Sequence, residues 1–595
     1  MRQAVPVLVV AWLLVFPCAT VHSQNARSHS GDMQNSGTLT KTTQLPGGMQ
    51  DGELLAKAMN LPDNITFWSD HPSDVLARAL VERMTNEELF AQMFMFGWAG
   101  AEPEQLLYDW VDRGLGSVKV FGWNTDDIHL VAHAIASLQR AASRTRFQIP
   151  LFVATDQEGG WIRHVKGETS ITPGNMAIGA SGFPVDAWYS GFYISREIKA
   201  LGINMNFAPS VDLFTNHSST IIGPRSFGDN PQHVGVLGAA FSAGSIAAGV
   251  IPTAKHFPGH GDTENDSHIH LPEINIDEKT FATRELVPFE ILVNQKVPAI
   301  MSGHLSFPQI DSSGAPASLS KYFLTDLLRG KLGYDGLIIT DDMMMNGDTL
   351  YAGSLTNAFR LAVEAGNDIV ISSTTARMAE PLWVNNLRLM QTDSAFYERV
   401  KDAAYRVIKA KLDYFKSENA APLYPNPNTI SQFIPDKDGE KFFFEQACRS
   451  ITVHKRGAFP LPAHSAGRVL LAGSMQRFFT EGRRRFSGAG EFRFPMEPNS
   501  EELQTARSSI VASASSYDTV VCLVSNWQTA RIARMLQGSG KRVVIFSIMS
   551  PEESLDFTWA DSVLMGYSWS AYTLDALFGA LAGEYTPRGV LPFKE

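Results

Sequence analysis

Short apolar runs separated by helically patterned polar segments fill the middle of this chain. The runs lie at Gln92 to Phe96, Gly116 to Phe121, Pro150 to Ala154, Asn204 to Ala208, Gly249 to Ala254, Ala299 to Met301, Leu337 to Thr340 and Asp368 to Ile371. Between most of them the apolar positions recur with helical spacing, as in Leu130 to Ala142, Ala187 to Ala200, Val234 to Ala247, Glu278 to Phe289 and Leu319 to Leu332. Strands that read as near-continuous apolar runs are buried on both faces, and strands alternating with helices are parallel. Eight such units over about 300 residues match the count and size of a (β/α)₈ barrel. An open doubly wound sheet is the competing arrangement, and it wants a Gly-rich phosphate turn after its first strand. The turn Phe96-Gly97-Trp98-Ala99-Gly100 is a poor one. Upstream, Val75, Leu76, Leu80, Val81 and Met84 recur at helical spacing and predict one helix across Pro72 to Glu88.

The alternation breaks at Asn419 to Asn428, where Pro422, Pro425 and Pro427 mark a linker. Beyond it, apolar runs at Val469 to Ala472, Thr519 to Val524, Arg542 to Ile548 and Ser562 to Tyr567 alternate with helical stretches at Lys441 to Ser450, Thr529 to Leu536 and Ala571 to Ala582. The chain therefore divides into an α/β barrel over 61–415, a linker over 416–440 and a smaller α/β sandwich over 441–595. The second domain carries no dense polar motif, so its expected role is structural support.

Met1-Arg2-Gln3 precedes an apolar run from Ala4 to Phe16 and the small residues near Ser23, the pattern of a secretory signal over 1–23. Lipid attachment at Cys18 is the variant reading. The run is too short to span a bilayer and no later stretch is long enough, so we expect an exported protein, periplasmic or extracellular, without a transmembrane span. The stretch 24–60 is assigned to a flexible spacer, because Gln24 to Gly52 is rich in Ser, Thr, Gly, Asn and Gln and has little to bury. Among 595 residues, a formal charge of -11 and no basic block beyond Arg483-Arg484-Arg485 argue against a nucleic-acid partner. Once the signal is removed, Cys448 and Cys522 remain, too few for a disulfide framework or a structural zinc site.

Reactive side chains follow the apolar runs, where a parallel barrel gathers its chemistry. Asp156, Gln157, Glu158 and Arg163 follow the third run, Asp212 the fourth, Lys255 and His256 the fifth, His304 the sixth, and Asp341 and Asp342 the seventh. Asp341 at a barrel mouth is suited to attack an electrophilic carbon or to stabilise positive charge. Asp342 suits a structural cap. In Asp266-Ser267-His268 the carboxylate is placed to orient the imidazole, which then donates a proton to a leaving oxygen and later takes one from water. Asp156, Arg163, Arg225, Lys255 and His256 suit a small hydroxyl-rich ligand, since carboxylates and cationic donors make paired hydrogen bonds to sugar hydroxyls. A metal site built from His256, His260, Asp262, His268 and His270 is the rival reading. It is disfavoured because Pro258, Gly259 and Gly261 break the helix that the His256/His260 spacing would need, and the Lys255 ammonium repels a cation.

The strings Asp156-Gln157-Glu158-Gly159-Gly160, Asn206-Phe207-Ala208-Pro209, Arg225-Ser226-Phe227-Gly228, Lys255-His256-Phe257-Pro258-Gly259-His260-Gly261-Asp262-Thr263, Asp266-Ser267-His268 and Thr340-Asp341-Asp342 resemble those of family 3 glycoside hydrolases, in particular the NagZ-type β-N-acetylglucosaminidases. The resemblance spans roughly Met84 to Ile371 and, more weakly, Ala447 to Glu595. It implies retaining hydrolysis of terminal β-linked N-acetylglucosamine from muropeptides or other peptidoglycan fragments, without cofactor or metal. In that mechanism Asp341 is the nucleophile, and His268 with Asp266 serves as acid/base. It places Asp156, Arg163, Arg225, Lys255 and His256 at sugar-binding positions. Trp161 and Gly303 depart from the family pattern, which has arginine and alanine there. A β-glucosidase or xylosidase of the same family, and an exported sugar-binding protein without turnover, are the alternatives.

Overall fold

The computed structural model describes residues 51–219, 221–263 and 271–594. The strands of the first domain are β1 (Phe94–Phe96), β2 (Ser117–Lys119), β3 (Phe152–Thr155), a hairpin of β4 (Gln157–Gly159) and β5 (Ile162–Arg163), then β6 (Met205–Asn206), β7 (Ile251–Phe257), β8 (Ala299–Ser302), β9 (Leu337–Asp342) and β10 (Ile369–Ser372). All except the hairpin pair in parallel, in the closed order β1-β10-β9-β8-β7-β6-β3-β2. Closure is set by β1, which meets β10 through Phe94 and Val370 and β2 through Met95 and Ser117. An open sheet is thereby ruled out. Each of the eight apolar runs overlaps one barrel strand, although β3, β7, β8, β9 and β10 run on past the apolar residues into the polar ones that follow.

Local chemistry redraws several helix boundaries. The single helix expected over Pro72 to Glu88 is two, Ser73–Arg83 and Asn86–Ala91. Met84 and Thr85 are extended, and Thr85 closes a reciprocal capping box with Glu88 that starts the second helix afresh. Within the stretch assigned to a spacer, Asp51–Met59 is already helical. Ala58 is buried there, and Arg83 donates to the carbonyls of Ala58 (3.4 Å) and Leu61 (2.7 Å), so apolar contact and a guanidinium tie this turn to the barrel. Helices Pro184–Ala200 and Pro231–Ala248 pack closely through glycines, where a Cβ on Gly244 would lie 1.9 Å from the Trp188 carbonyl oxygen. Gly249, at φ 89°, ends the second of them in the left-handed turn that a side chain disfavours.

The second domain is a six-stranded sheet of β11 (Thr452–Lys455), β12 (Val469–Gly473), β13 (Gly490–Arg493), β14 (Thr519–Val524), β15 (Arg542–Ser547) and β16 (Ser562–Met565). Its order is β11-β16-β15-β14-β12-β13, and only β11 runs antiparallel to its neighbour. The stretch assigned to a linker is docked. Ile430 and Ile434 are buried, and the Asp436 N–H donates to Glu197 at 3.0 Å while its side chain caps a helix that begins at Lys437. Met176, Ala177, Ala180 and Phe214 of the first domain share one apolar cluster with Leu470, Val520, Val563 and Phe593 of the second. The closing tail is part of that seam. Val590 N–H donates to Ala180 O (2.9 Å), Asp229 N–H to Pro592 O (3.2 Å) and Lys594 N–H to Asp229 Oδ2 (3.0 Å). Phe593 sits edge-on to Phe214 and His217, 4.9 Å from each ring. Cys448 and Cys522 are both free thiols, and among the described residues no helix is long and apolar enough to cross a membrane.

Candidate active site

Four neighbouring barrel strands converge their C-terminal ends on one group of charges. Asp156, just past β3, takes the Lys255 ammonium of β7 at 2.5 Å and the Lys119 ammonium of β2 at 2.9 Å. Lys255 also meets Glu158 at 2.7 Å, and Glu158 is held on its other side by a two-pronged contact from Arg225 (3.0 and 2.8 Å). Burial pushes both carboxyls upward, but the cations facing them prevail, so Asp156 is held well below the usual carboxylate range and Glu158 is also lowered. Burial alone would lower the Lys255 ammonium, and Asp156 and Glu158 raise it instead. Each charge is thus fixed in one rotamer by an opposite charge, the geometry that presents paired donors and acceptors to a polyol.

Asp212 organises the adjoining wall. It accepts from the His256 backbone N–H (3.1 Å), the His260 backbone N–H (2.7 Å), Ser210 Oγ (3.0 Å) and His256 Nδ1 (2.7 Å). The bond to Nδ1 turns the other ring nitrogen, Nε2, toward Arg225 Nη2 at 3.4 Å and Asp341 Oδ2 at 3.9 Å. Asp341 is the penultimate residue of β9, and its Oδ1 accepts from the Asp342 N–H at 2.8 Å. Although burial opposes its ionisation, His256, His304 and Lys119 hold its carboxyl down at about 2. At neutral pH this is an anion, 18% exposed, among positive groups. Asp342 turns outward and accepts from the backbone N–H groups of Met344 and Ser373, a capping role.

Comparison with known proteins fixes the family of this barrel. The model for the glycosyl hydrolase family 3 N-terminal domain matches residues 85–410, over half of the chain. The chain belongs to glycosyl hydrolase family 3. Among its relatives, beta-hexosaminidase A of Pseudoalteromonas piscicida is 32% identical over 391 residues, which cover 56% of this chain and 65% of that protein, so the match spans just under two thirds of it. A beta-hexosaminidase of Pseudomonas aeruginosa strain PAO1 is 31% identical over 318 residues, covering 53% of this chain and 90% of the other. A glycoside hydrolase family 3 beta-N-acetylglucosaminidase from Paenibacillus sp. str. FPU-7 superposes with a TM-score of 0.76 at 26% identity, covering 86% of this chain and 99% of that one. A beta-glucosidase from Listeria innocua, 18% identical with a TM-score of 0.71 and coverages of 87% and 76%, shares the fold.

Of the residues predicted from sequence, this family 3 chain brings together Asp156, Arg225, Lys255, His256 and Asp341. Asp266 and His268 lie outside the described residues. Arg163 does not join the group. Its Nη1 donates to the Thr169 carbonyl (2.9 Å) and hydroxyl (2.8 Å), and the carboxylate acting on it is that of Glu197. Side chains alternate along a strand, so the end of β5 sends Arg163 to one side and its neighbour His164 to the other. His164 Nδ1 stands 3.4 Å from Asp156 Oδ2 and, being buried beside Lys119 and Lys255, is pushed down to about 4 despite Asp156, hence neutral at pH 7. Lys119 is the other residue that sequence reading missed. A lone lysine inside an apolar strand was the available signal, because a buried ammonium needs a carboxylate partner. Among the described residues no three His, Cys, Asp or Glu side chains are grouped so as to hold a metal ion, and Asp262, one of the rival ligands, is bound by Arg284 at 2.6 Å.

Proposed function

We propose that this protein is a retaining exo-β-N-acetylglucosaminidase acting on peptidoglycan fragments outside the cytoplasm. The observation that carries the reading is the Asp341 anion on the barrel rim, facing His256 and beside the charge-paired Asp156, Lys255, Glu158 and Arg225. That pocket supplies fixed donors and acceptors for one pyranose, and a nucleophile at its edge. In the proposed reaction an Asp341 oxygen attacks the anomeric carbon, the glycosidic C–O bond breaks, and the leaving oxygen takes a proton from His268, oriented by Asp266. Water then attacks the glycosyl ester, gives its proton to His268 and releases Asp341, so configuration is retained. The names of the relatives support N-acetylglucosamine as the sugar removed, and the sequence resemblance supports muropeptides as its source. The N-terminal apolar segment supports export, with lipid attachment at Cys18 as its variant.

Nitrophenyl N-acetyl-β-glucosaminide and nitrophenyl β-glucoside, assayed side by side, test the sugar. Release from the first alone is expected, and preference for the glucoside overturns the assignment. Release of N-acetylglucosamine from a peptidoglycan-derived disaccharide peptide tests the natural substrate. Asp341→Asn is expected to lower kcat by about a thousandfold or more while N-acetylglucosamine still binds, and equal turnover by mutant and parent removes Asp341 from its role.

A further inference from the structure

Beyond β8 lies a second charged assembly, centred on His304 and Asp348 and built apart from the Asp156, Glu158, Lys255 and Arg225 group. His304, following β8, is buried, and its Nδ1 meets Asp348 Oδ2 at 2.9 Å and Ser318 Oγ at 2.9 Å. Ser318 donates onward to Asp348 at 2.8 Å, so the carboxylate is bound by two partners and excluded from water. Asp348 stands on the helix Asn346–Ala352, which follows β9 directly. The remaining ring nitrogen, Nε2, donates to the carbonyl oxygen of Asp342 at 3.0 Å. With Nδ1 on a carboxylate and Nε2 on a carbonyl, both ring nitrogens must carry protons, since a carbonyl offers no hydrogen. The ring is then an imidazolium, clamped to the carbonyl of Asp342, the residue after Asp341.

We propose that His304 is a positioning residue for the nucleophile: its Asp348-held imidazolium pins the Asp342 carbonyl, steadying the strand end that carries Asp341, and adds a positive charge at neutral pH that acts on the Asp341 carboxylate. The assignment rests on the proposed role of Asp341. Burial disfavours the charged ring, but Asp348 outweighs it and lifts His304 to about 9, in keeping with the two-donor geometry. The groups that hold Asp341 down are His256 of β7, His304 beyond β8 and Lys119 of β2, and Asp341 is in turn the second carboxylate acting on His304. A buried ion pair contributes little net stability compared with an apolar replacement; here it also sets the state of a neighbouring group.

His304→Gln keeps a donor toward Asp342 and removes the charge. On the chromogenic N-acetylglucosaminide, kcat is expected to fall about tenfold and the acidic limb of kcat/KM to move up by about one pH unit. Inhibition by free N-acetylglucosamine is expected to stay within about twofold of the parent, because His304 bonds to Asp348, Ser318 and the Asp342 carbonyl and not to the proposed sugar-binding side chains. Asp348→Asn, which keeps the hydrogen bond from Ser318 and neutralises the ring at neutral pH, is expected to move the limb in the same direction. It also serves if His304→Gln fails to fold. An acidic limb that stays in place in a folded variant, judged by its thermal melt, overturns the proposal. A parent enzyme that hydrolyses no N-acetylglucosaminide instead overturns the functional reading on which it rests.

Discussion

Arg163 and His164 are adjacent in the chain but bond to different partners, and in the proposed site only His164 stands beside the charged group. Arg163 closes on Thr169, while His164 stands against Asp156 in its neutral form. His164→Ala is expected to raise KM for the N-acetylglucosaminide about tenfold, the loss of one hydrogen bond to a charged site. Arg163→Ala is expected to leave KM within about twofold and to show itself in a lowered melting temperature. Steady-state kinetics and a thermal melt on both variants separate the two. The charged residues that sequence marked at strand ends, Asp156, Lys255, His256 and Asp341, do converge, because the C-terminal rim of a parallel barrel collects them whatever lies between. That Arg163 bonds Thr169 and stays apart from that group could not be read in advance, because a two-residue strand has no visible alternation. Lys119 was passed over because a buried lysine makes sense only with a carboxylate from another strand, and that pairing is a property of the closed barrel.

At the level of elements, what could be read in advance tracks how completely an element is buried. Barrel strands covered on both faces appear as uninterrupted apolar runs, so all eight were visible. The edge strands β11 and β13 are half-covered and carry Lys455, Glu491 and Arg493, and no apolar run announces them. The break at Thr85 was hidden for a different reason: apolar spacing continues across it, and only the hydroxyl-to-Glu88 exchange shows that one helix stops and another starts. Helix contact is equally local. Gly191 and Gly244 let Pro184–Ala200 and Pro231–Ala248 approach until a methyl group has no room, since a Cβ on Gly191 would fall 2.2 Å from the Phe241 carbonyl oxygen. Gly244→Ala is therefore expected to cost about 2 kcal/mol or more despite the higher helix propensity of alanine. Denaturant unfolding measures it, and an unchanged midpoint contradicts the close-packing account.

Over the whole molecule, the sandwich does more than the supporting role that its composition suggested. Its last residues cross back to the barrel and grip Asp229 and Phe214, the two flanks of the segment that delivers Arg225 to Glu158. Nothing in a tail of five residues foretells that contact, because its partners lie over 350 positions away in sequence. Phe593→Ala is expected to destabilise the fold by about 3 kcal/mol and to raise KM several-fold with kcat little changed, as Arg225 loses its fixed placement. Paired kinetics and calorimetry test this, and a KM equal to the parent's in a measurably destabilised variant denies the tail any influence on binding. The same crossing limits how such a protein can be recombined. In a chimaera that exchanges one accessory half for another, the barrel loop around Asp229 and Phe214 is expected to keep its placement only where the incoming half carries a matching segment in place of residues 590–594.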